Sequence, residues 1–396
     1  MKGRQSDYTI GAVLRRKSTN GVIVQHIVKA RLATTTTVFK GVAGAKGLAI
    51  LCRRFIDEDR EAQGHYNKRE EMLAVNFTFN FNSFLDLDCL VKFRFTKRDI
   101  IRLLPVFSWP ETQTHTRRNR YSVTPILVCC IILRRLATPT RWVDCERMFG
   151  KWKSHLSEIF WEGIECLVKE RMHLITSGID KDFMAQNAQK YSDAIFEKSA
   201  GLTRMVGFID GTVLGIARPK GNLSQRVVYN GHKRKHALKF QAVNSPDGLI
   251  QHVAGPIEGR RHDWTLYIRS GLEENLPEVL EIDGVRYRIY GDSGYSRRWF
   301  MEVPFQGSNL SAAQMAFNTA MAKVRITVEW VFKEVKMYFA TLDFKRKLKI
   351  YESPIGLLYL SSMLLCNFRN CIYPNQVSKY FNVRPPTLEE LSLIHI

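Results

Sequence analysis

Hydrophobic and polar positions change their period along this chain, and those changes divide it. From Met1 to about Leu73 no period holds: the segment is basic, short of aromatics, and carries the run Thr34-Thr35-Thr36-Thr37 between glycines. Residues 1–75 therefore read as a basic, poorly patterned arm. Residues 76–198 open on spaced aromatics, Phe77, Phe79, Phe81 and Phe84, and continue as helices. Thr96 is placed to cap a helix running through Leu104, with Pro105 as its stop, and Ser122–Leu136 is a second helix with Pro125 in its first turn. Arg141–Phe149 is a third, Gly150 makes the turn, and Ser154 caps a fourth toward Val168. That pair has a helix-turn-helix outline whose second member begins Lys151-Trp152-Lys153-Ser154-His155, cations and hydrogen-bonders at the end that would enter a groove. Plain helical packing explains the same pattern. A further helix, Phe183–Lys198, closes the segment.

Over 199–345 the period falls to two. A strand over Val206–Ala217 is interrupted once by an acid, Asp210, where Gly211 suggests a turn. Next come strands at Ala237–Val243 and Leu249–Ala254 around an Asn244–Gly248 turn, then a helix from Asp263 to about Leu272. A fourth strand, Arg286–Tyr290, ends at Gly291-Asp292-Ser293-Gly294-Tyr295. Val324, Val328, Val331, Phe332 and Val335 then form a helical stripe with Glu329 at its edge. Residues 346–396 hold one apolar helix, Ile355–Ile372, expected to cover a face of the sheet, and a tail. This order of strands and helices describes an α/β fold with a ribonuclease H-like mixed sheet flanked by helices, preceded by an all-α helix-turn-helix-like domain.

A carboxylate among apolar residues is costly unless it is paired, hydrogen-bonded or holding a metal. Asp210 alone reads as a turn residue bonded to its own backbone. In the ribonuclease H-like order, however, Asp210 and Asp292 lie on neighbouring strands and Glu329 reaches over from a packed helix. Converging acids repel unless cations sit between them, and hard oxygen ligands suit Mg²⁺ or Mn²⁺. Two such ions, about 3.5–4 Å apart, assist phosphoryl transfer. Rival explanations exist for each acid: Asp263 after His262 as a helix cap, Asp283 as a turn residue, and Glu329 as an ion-pair partner of Arg325 or Lys333.

The charge balance sharpens the partner. The 396 residues carry 59 Lys+Arg against 38 Asp+Glu, a net charge of +21 that favours an anionic partner such as nucleic acid. Lys233, Arg234 and Lys235 form one basic cluster, and Arg297, Arg298 and Trp299 form another beside Asp292, with the indole available for stacking. The second cluster, at the rim of the acids, is the stronger DNA contact on sequence grounds. The longest uncharged apolar run, Val123–Leu133, is too short to span a bilayer, so no membrane is expected. Eight scattered cysteines without zinc spacing read as reduced thiols of a nuclear or cytosolic protein.

Ile209-Asp210-Gly211-Thr212, the segment Tyr229–Gly248, Arg261-His262-Asp263, Gly291-Asp292-Ser293-Gly294-Tyr295 and Arg325-Ile326-Thr327-Val328-Glu329-Trp330 together resemble the successive blocks of PIF/Harbinger-type DDE transposases and their domesticated nuclease descendants. The likeness runs from about Phe93 to Ile372. It implies that Asp210, Asp292 and Glu329 are the catalytic, metal-binding acids, with His262 and Asp263 as accessory positions. It also implies cleavage of double-stranded DNA at transposon ends with Mg²⁺ or Mn²⁺, and joining of 3′-hydroxyl ends to target DNA. A Myb-like companion DNA-binding protein, a homo-oligomer on DNA and a nuclear location complete the expectation. The alternative is a catalytically retired descendant that only binds DNA.

Overall fold

A computed structural model describes residues 79–107, 114–115, 122–199 and 201–393; the arm expected over 1–75 lies outside them. The helical part comprises α1 (Asp86–Phe93), α2 (Lys97–Val106), α3 (Pro125–Ala137), α4 (Glu146–Phe149), α5 (Lys153–Arg171) and α6 (Lys181–Ser199). Thr96 caps α2 as expected, its hydroxyl accepting from the Asp99 N–H. Pro105 does not stop the helix, which runs one residue beyond it. The N–H that proline lacks would have reached Ile101, an exposed residue whose carbonyl can turn to water. The next helix starts at Pro125 instead of Ser122, because proline forces the residue before it, Thr124, into extended backbone.

The helix-turn-helix outline changes most. Arg141–Phe149 divides into a 3₁₀ turn, Trp142–Cys145, and the single turn of α4. Gly150 does supply the left-handed cap at φ 60°. Ser154 lies inside α5; the cap position is Trp152, and the Glu146 carboxylate accepts the Lys153 N–H at 2.8 Å in place of a hydroxyl. From Leu156 onward α5 is buried on most sides, and Gly163 lets it lie so close to α3 that a Cβ there would meet Ile132 Cδ1 at 2.6 Å. Its first turn, Lys153–His155, is half-buried, and its exposed residue, Lys169, lies at the opposite end.

The α/β part is built on β1 (Met205–Gly215), β2 (Tyr229–Asn230), β3 (Lys235–Asn244), β4 (Ile250–Glu258), α7 (Asp263–Arg269), α8 (Leu272–Leu280), β5 (Arg288–Tyr290), β6 (Met301–Glu302), α9 (Ala312–Tyr338), α10 (Ile355–Ile372) and α11 (Gln376–Phe381). The sheet runs β6-β5-β1-β3, with β2 and β4 both pairing the outer edge of β3. β1, β5 and β6 are parallel while β3 is antiparallel to β1 and β4, so the sheet is mixed and flanked by helices. This arrangement is compatible with the ribonuclease H-like expectation. The helix foreseen over Asp263–Leu272 breaks at Gly271 (φ 77°), and the strand foreseen over Arg286–Tyr290 breaks at Tyr287. Its first part folds back on Glu281–Ile282 through Asp283 (φ 50°) and Gly284 (φ 76°), so Asp283 is the turn residue it resembled.

α9 is longer than its apolar stripe, since a capping box between Ser311 and Gln314 starts it a dozen residues earlier. α10 has the expected limits. By length and composition it is apolar enough to cross a membrane, yet it is 78% buried and forms the central helix of the core. Tyr359 packs against Phe240 of β3 in a tilted ring pair, and Gly356 admits Pro256 of β4. The seven cysteines among the described residues are unbridged, and burial raises the thiols of Cys366 and Cys371 on α10, so neither offers a thiolate to a metal.

Candidate active site

The chain does not turn at Gly211. β1 continues to Gly215, with Asp210 opposite Ala242 and Gly211 opposite Gln241 on β3. Successive residues of a strand face opposite sides of the sheet, and here each side matters. Asp210 is directed to α9, where its Oδ2 accepts from Arg325 at 3.0 Å. Gly211 opens toward α7, and its missing side chain leaves room for the Asp263 carboxylate, which a Cβ would meet at 2.6 Å. The glycine is what lets a second acid come against the strand.

On the other side of β1, Phe208 pairs with Tyr290 of the parallel strand β5, so Asp292 follows just beyond the strand end. Its Oδ1 accepts the Gly294 N–H at 2.8 Å, a tight turn that holds the carboxylate at the sheet's rim. Asp210 is only 14% exposed, and its carboxyl is pushed up to about 6. Burial is the main cause, and the negative charges of Asp292 and Asp263 add to it; Arg325 and the Gly211 N–H oppose it without cancelling it. The same three acids bear on Tyr295, whose hydroxyl donates to Gln241 Oε1 at 3.1 Å and whose ionisation is suppressed by burial first and by those acids after it. Asp210, Asp292 and Asp263 thus share one electrostatic neighbourhood.

Asp263 is not a helix cap. The cap position is His262, which makes no capping side-chain bond, and Asp263 instead takes Lys239 Nζ at 2.8 Å. Lys239 was legible as a signal: a lone charge within the apolar strand Ala237–Val243, it is 11% exposed at the side chain and needed a partner. Glu329 is exposed on α9 and has no ion-pair partner among the described residues. Arg325, the neighbour expected to engage it, is engaged by Asp210. At four residues' spacing Glu329 lies one turn along and about 40° round the helix from Arg325. Among the described residues no three His, Cys, Asp or Glu side chains gather closely enough to hold a metal ion. Asp263 arrives at β1 from the α7 side, whereas Asp210, Arg325 and Glu329 belong to the α9 side.

The basic clusters differ in how their side chains are engaged. Arg297 pairs with Glu302 at 3.3 Å and lies over Phe305, Arg298 pairs with Glu273 at 2.8 Å, and Trp299 is half-buried beneath Arg286. Lys233 and Arg234, by contrast, stand exposed at the tip of the β2–β3 hairpin. Burial lowers the Lys235 ammonium, and the charges of Lys336, Lys345 and Lys233 lower it further, so that tip continues into a wider basic ridge that sequence did not reveal. Lys336 and Lys345 are distant in the chain and meet Lys235 only through the fold. Of the groove-end residues, Lys151, Lys153, Ser154 and His155 sit half-buried at the start of α5.

Residues 209–367 match the family of DDE superfamily endonucleases, a span that contains all five sequence blocks. Over 216 residues, 52% of this chain and 51% of the relative, the chain is 24% identical to a protein described as ALP1-like from Arabidopsis thaliana. Over 137 residues, 33% of this chain and 46% of the relative, it is 28% identical to a probable transposase for insertion sequence element IS702 from Microchaete diplosiphon. The chain spans about half the length of the curated relatives it matches. No solved structure matches.

Proposed function

From the match of residues 209–367 to the DDE superfamily endonucleases, we propose that this chain cleaves DNA phosphodiester bonds at Asp210, Asp292 and Glu329 and joins 3′-hydroxyl ends to target DNA. The observation that carries the reading is the tension at Asp210, a buried carboxyl raised to about 6 beside Asp292. Two acids that repel at the rim of a sheet have unmet affinity for a cation, and their oxygens fit Mg²⁺ or Mn²⁺. Asp210 and Asp292 would hold the ions, Glu329 would complete the set from α9, and Asp263 is the accessory acid. Such ions, when bound, supply a polarised attacking oxygen and charge for the leaving one.

The chain's own residues do the rest. Arg325 holds the Asp210 carboxylate in place at 3.0 Å, and Lys239 does the same for Asp263 at 2.8 Å, so neither acid depends on substrate for its position. The hairpin cations Lys233, Arg234 and Lys235 meet phosphate, with Lys151, Lys153, Ser154 and His155 as a further contact at the half-buried start of α5. Arg297, Arg298 and Trp299 shape the rim around Asp292. A Myb-like companion, assembly into a homo-oligomer on DNA and action in the nucleus follow from the Harbinger-type resemblance.

A second reading has one observation in its favour: Arg325 already occupies Asp210, as it would in a DNA-binding descendant that had lost turnover. Nicking of supercoiled plasmid separates the two. The purified protein with Mg²⁺ or Mn²⁺ should nick, EDTA should stop it, and Asp210→Ala should be inactive. Absence of nicking from a folded, DNA-binding protein, even with the companion and transposon ends supplied, would leave the retired descendant.

A further inference from the structure

Away from the acids, a cavity of about 370 Å³ opens where α3 and α5 meet the segment after α9. Its lining is one-sided in charge: Arg135, Arg141, Arg346, Lys347 and Lys349 against the single acid Glu352. Glu352 is taken by Lys349 at 2.7 Å, and Arg141 by Asp144 nearby at 3.2 Å. Arg346 is exposed and has no ion pair among the described residues. Lys347 is fixed by the Pro139 and Thr140 carbonyls, each 2.6 Å from its Nζ. Burial, and after it the Arg135 charge, brings that ammonium down to about 8. Cations gathered in this way repel one another, and an anion entering the cavity would relieve them.

The other walls are aromatic. Trp142 lies under the Arg135 guanidinium at 4.5 Å and edge-on to Phe160 at 5.4 Å, and Trp161 packs on Phe160 at 4.8 Å. Cations beside flat apolar faces suit a ligand with phosphate at one end and an unpaired ring at the other. The volume is that of a small-ligand pocket and admits no base pair stacked in a duplex.

Position connects the cavity to the proposed site. The Ala217 N–H donates to the Leu348 carbonyl at 2.9 Å, and the stem of Lys345 fills the space at Gly215. Both are at the end of β1, five to seven residues beyond Asp210, which is roughly 15–25 Å along an extended strand. Lys345 also belongs to the ridge felt by Lys235, so basic surface runs from the hairpin tip to the cavity. We infer that the cavity binds one nucleotide of a single-stranded DNA segment, its phosphate among Arg346, Lys347 and Lys349 and its base against Trp142. The strand freed at the acids is thereby held roughly half to three-quarters of one duplex turn away from them. This rests on DNA as the substrate and not on turnover.

The test uses the full chain in EDTA, so a failure of cleavage cannot affect it. Anisotropy of a labelled hexathymidylate is titrated at several salt concentrations, beside an abasic hexamer and free thymidine monophosphate. The hexamer should bind. The abasic form should bind about tenfold more weakly, as should the monophosphate. Arg346→Ala with Lys349→Ala, both exposed and checked by thermal melting, should weaken the hexamer and flatten its log–log salt slope by about 1–1.5. Trp142→Leu should erase the difference between the hexamer and its abasic form while leaving the salt slope unchanged. Hexamer binding indifferent to these variants, or equal for the abasic form, would overturn the assignment. Monophosphate binding as tight as the hexamer would overturn the strand and leave a free-nucleotide site.

Discussion

Asp210 was conspicuous in the sequence as the only acid in an apolar run, and its environment yields a prediction about stability. Its carboxyl is raised from an ordinary 3.8 to about 6, so the folded chain holds a proton that the unfolded chain releases. Stability therefore falls as pH rises from about 4 to about 6, and the full loss, on the order of 2–3 kcal/mol, persists above that window. Asp210→Asn removes that cost but leaves Arg325 without its partner, which returns part of it. The variant should melt a few degrees above the parent at pH 8, with the difference vanishing near pH 4; calorimetry across pH checks this. Glu329 predicts the opposite profile. Exposed and without an ion pair among the described residues, it can change to Gln with less than about 0.5 kcal/mol effect on stability, while plasmid nicking should disappear. Gly211→Ala should cost about 1–3 kcal/mol in denaturant unfolding, because the new Cβ meets the Asp263 carboxylate at 2.6 Å. The acids were readable from their types and order; the face each occupies was not, since a face is set by register with β3.

At the scale of elements, the signals that worked were local. Thr96 caps α2, Gly150 ends α4, and α10 runs from Ile355 to Ile372 because each depends on a few adjacent residues. The failures were cases where a distant or competing partner decided. Ser154 lost its capping role to a carboxylate on the preceding helix, and Thr124 was turned from helix by the proline after it. The helix-turn-helix outline fared worst, since burial of α5 against α3 has no local signature. Gly163→Val should test that packing: the branched side chain would enter Val128 and Ile132, costing about 1–3 kcal/mol and lowering the urea midpoint without changing the slope.

For the whole molecule, a net charge of +21 predicts that DNA binding weakens by several powers of salt concentration on a log–log plot. Reversing Lys233 and Arg234 at the exposed hairpin tip should reduce that slope by about 2, whereas reversing Arg298, held by Glu273, should act mainly on stability. Binding isotherms at four salt concentrations distinguish them. The sequence by itself determined the order of strands and helices, the three acids at intervals along them and the basic balance of the chain, because periodicity, punctuation and composition are properties of neighbours in the chain. Only the tertiary structure decided that Asp210 meets Arg325, that Asp263 reaches β1 through Gly211 and pairs with Lys239, and that Lys235, Lys336 and Lys345 share one ridge. Those contacts join residues from 24 to 115 positions apart, and strand register and helix docking, which bring them together, minimise the free energy of the whole chain and of no single segment.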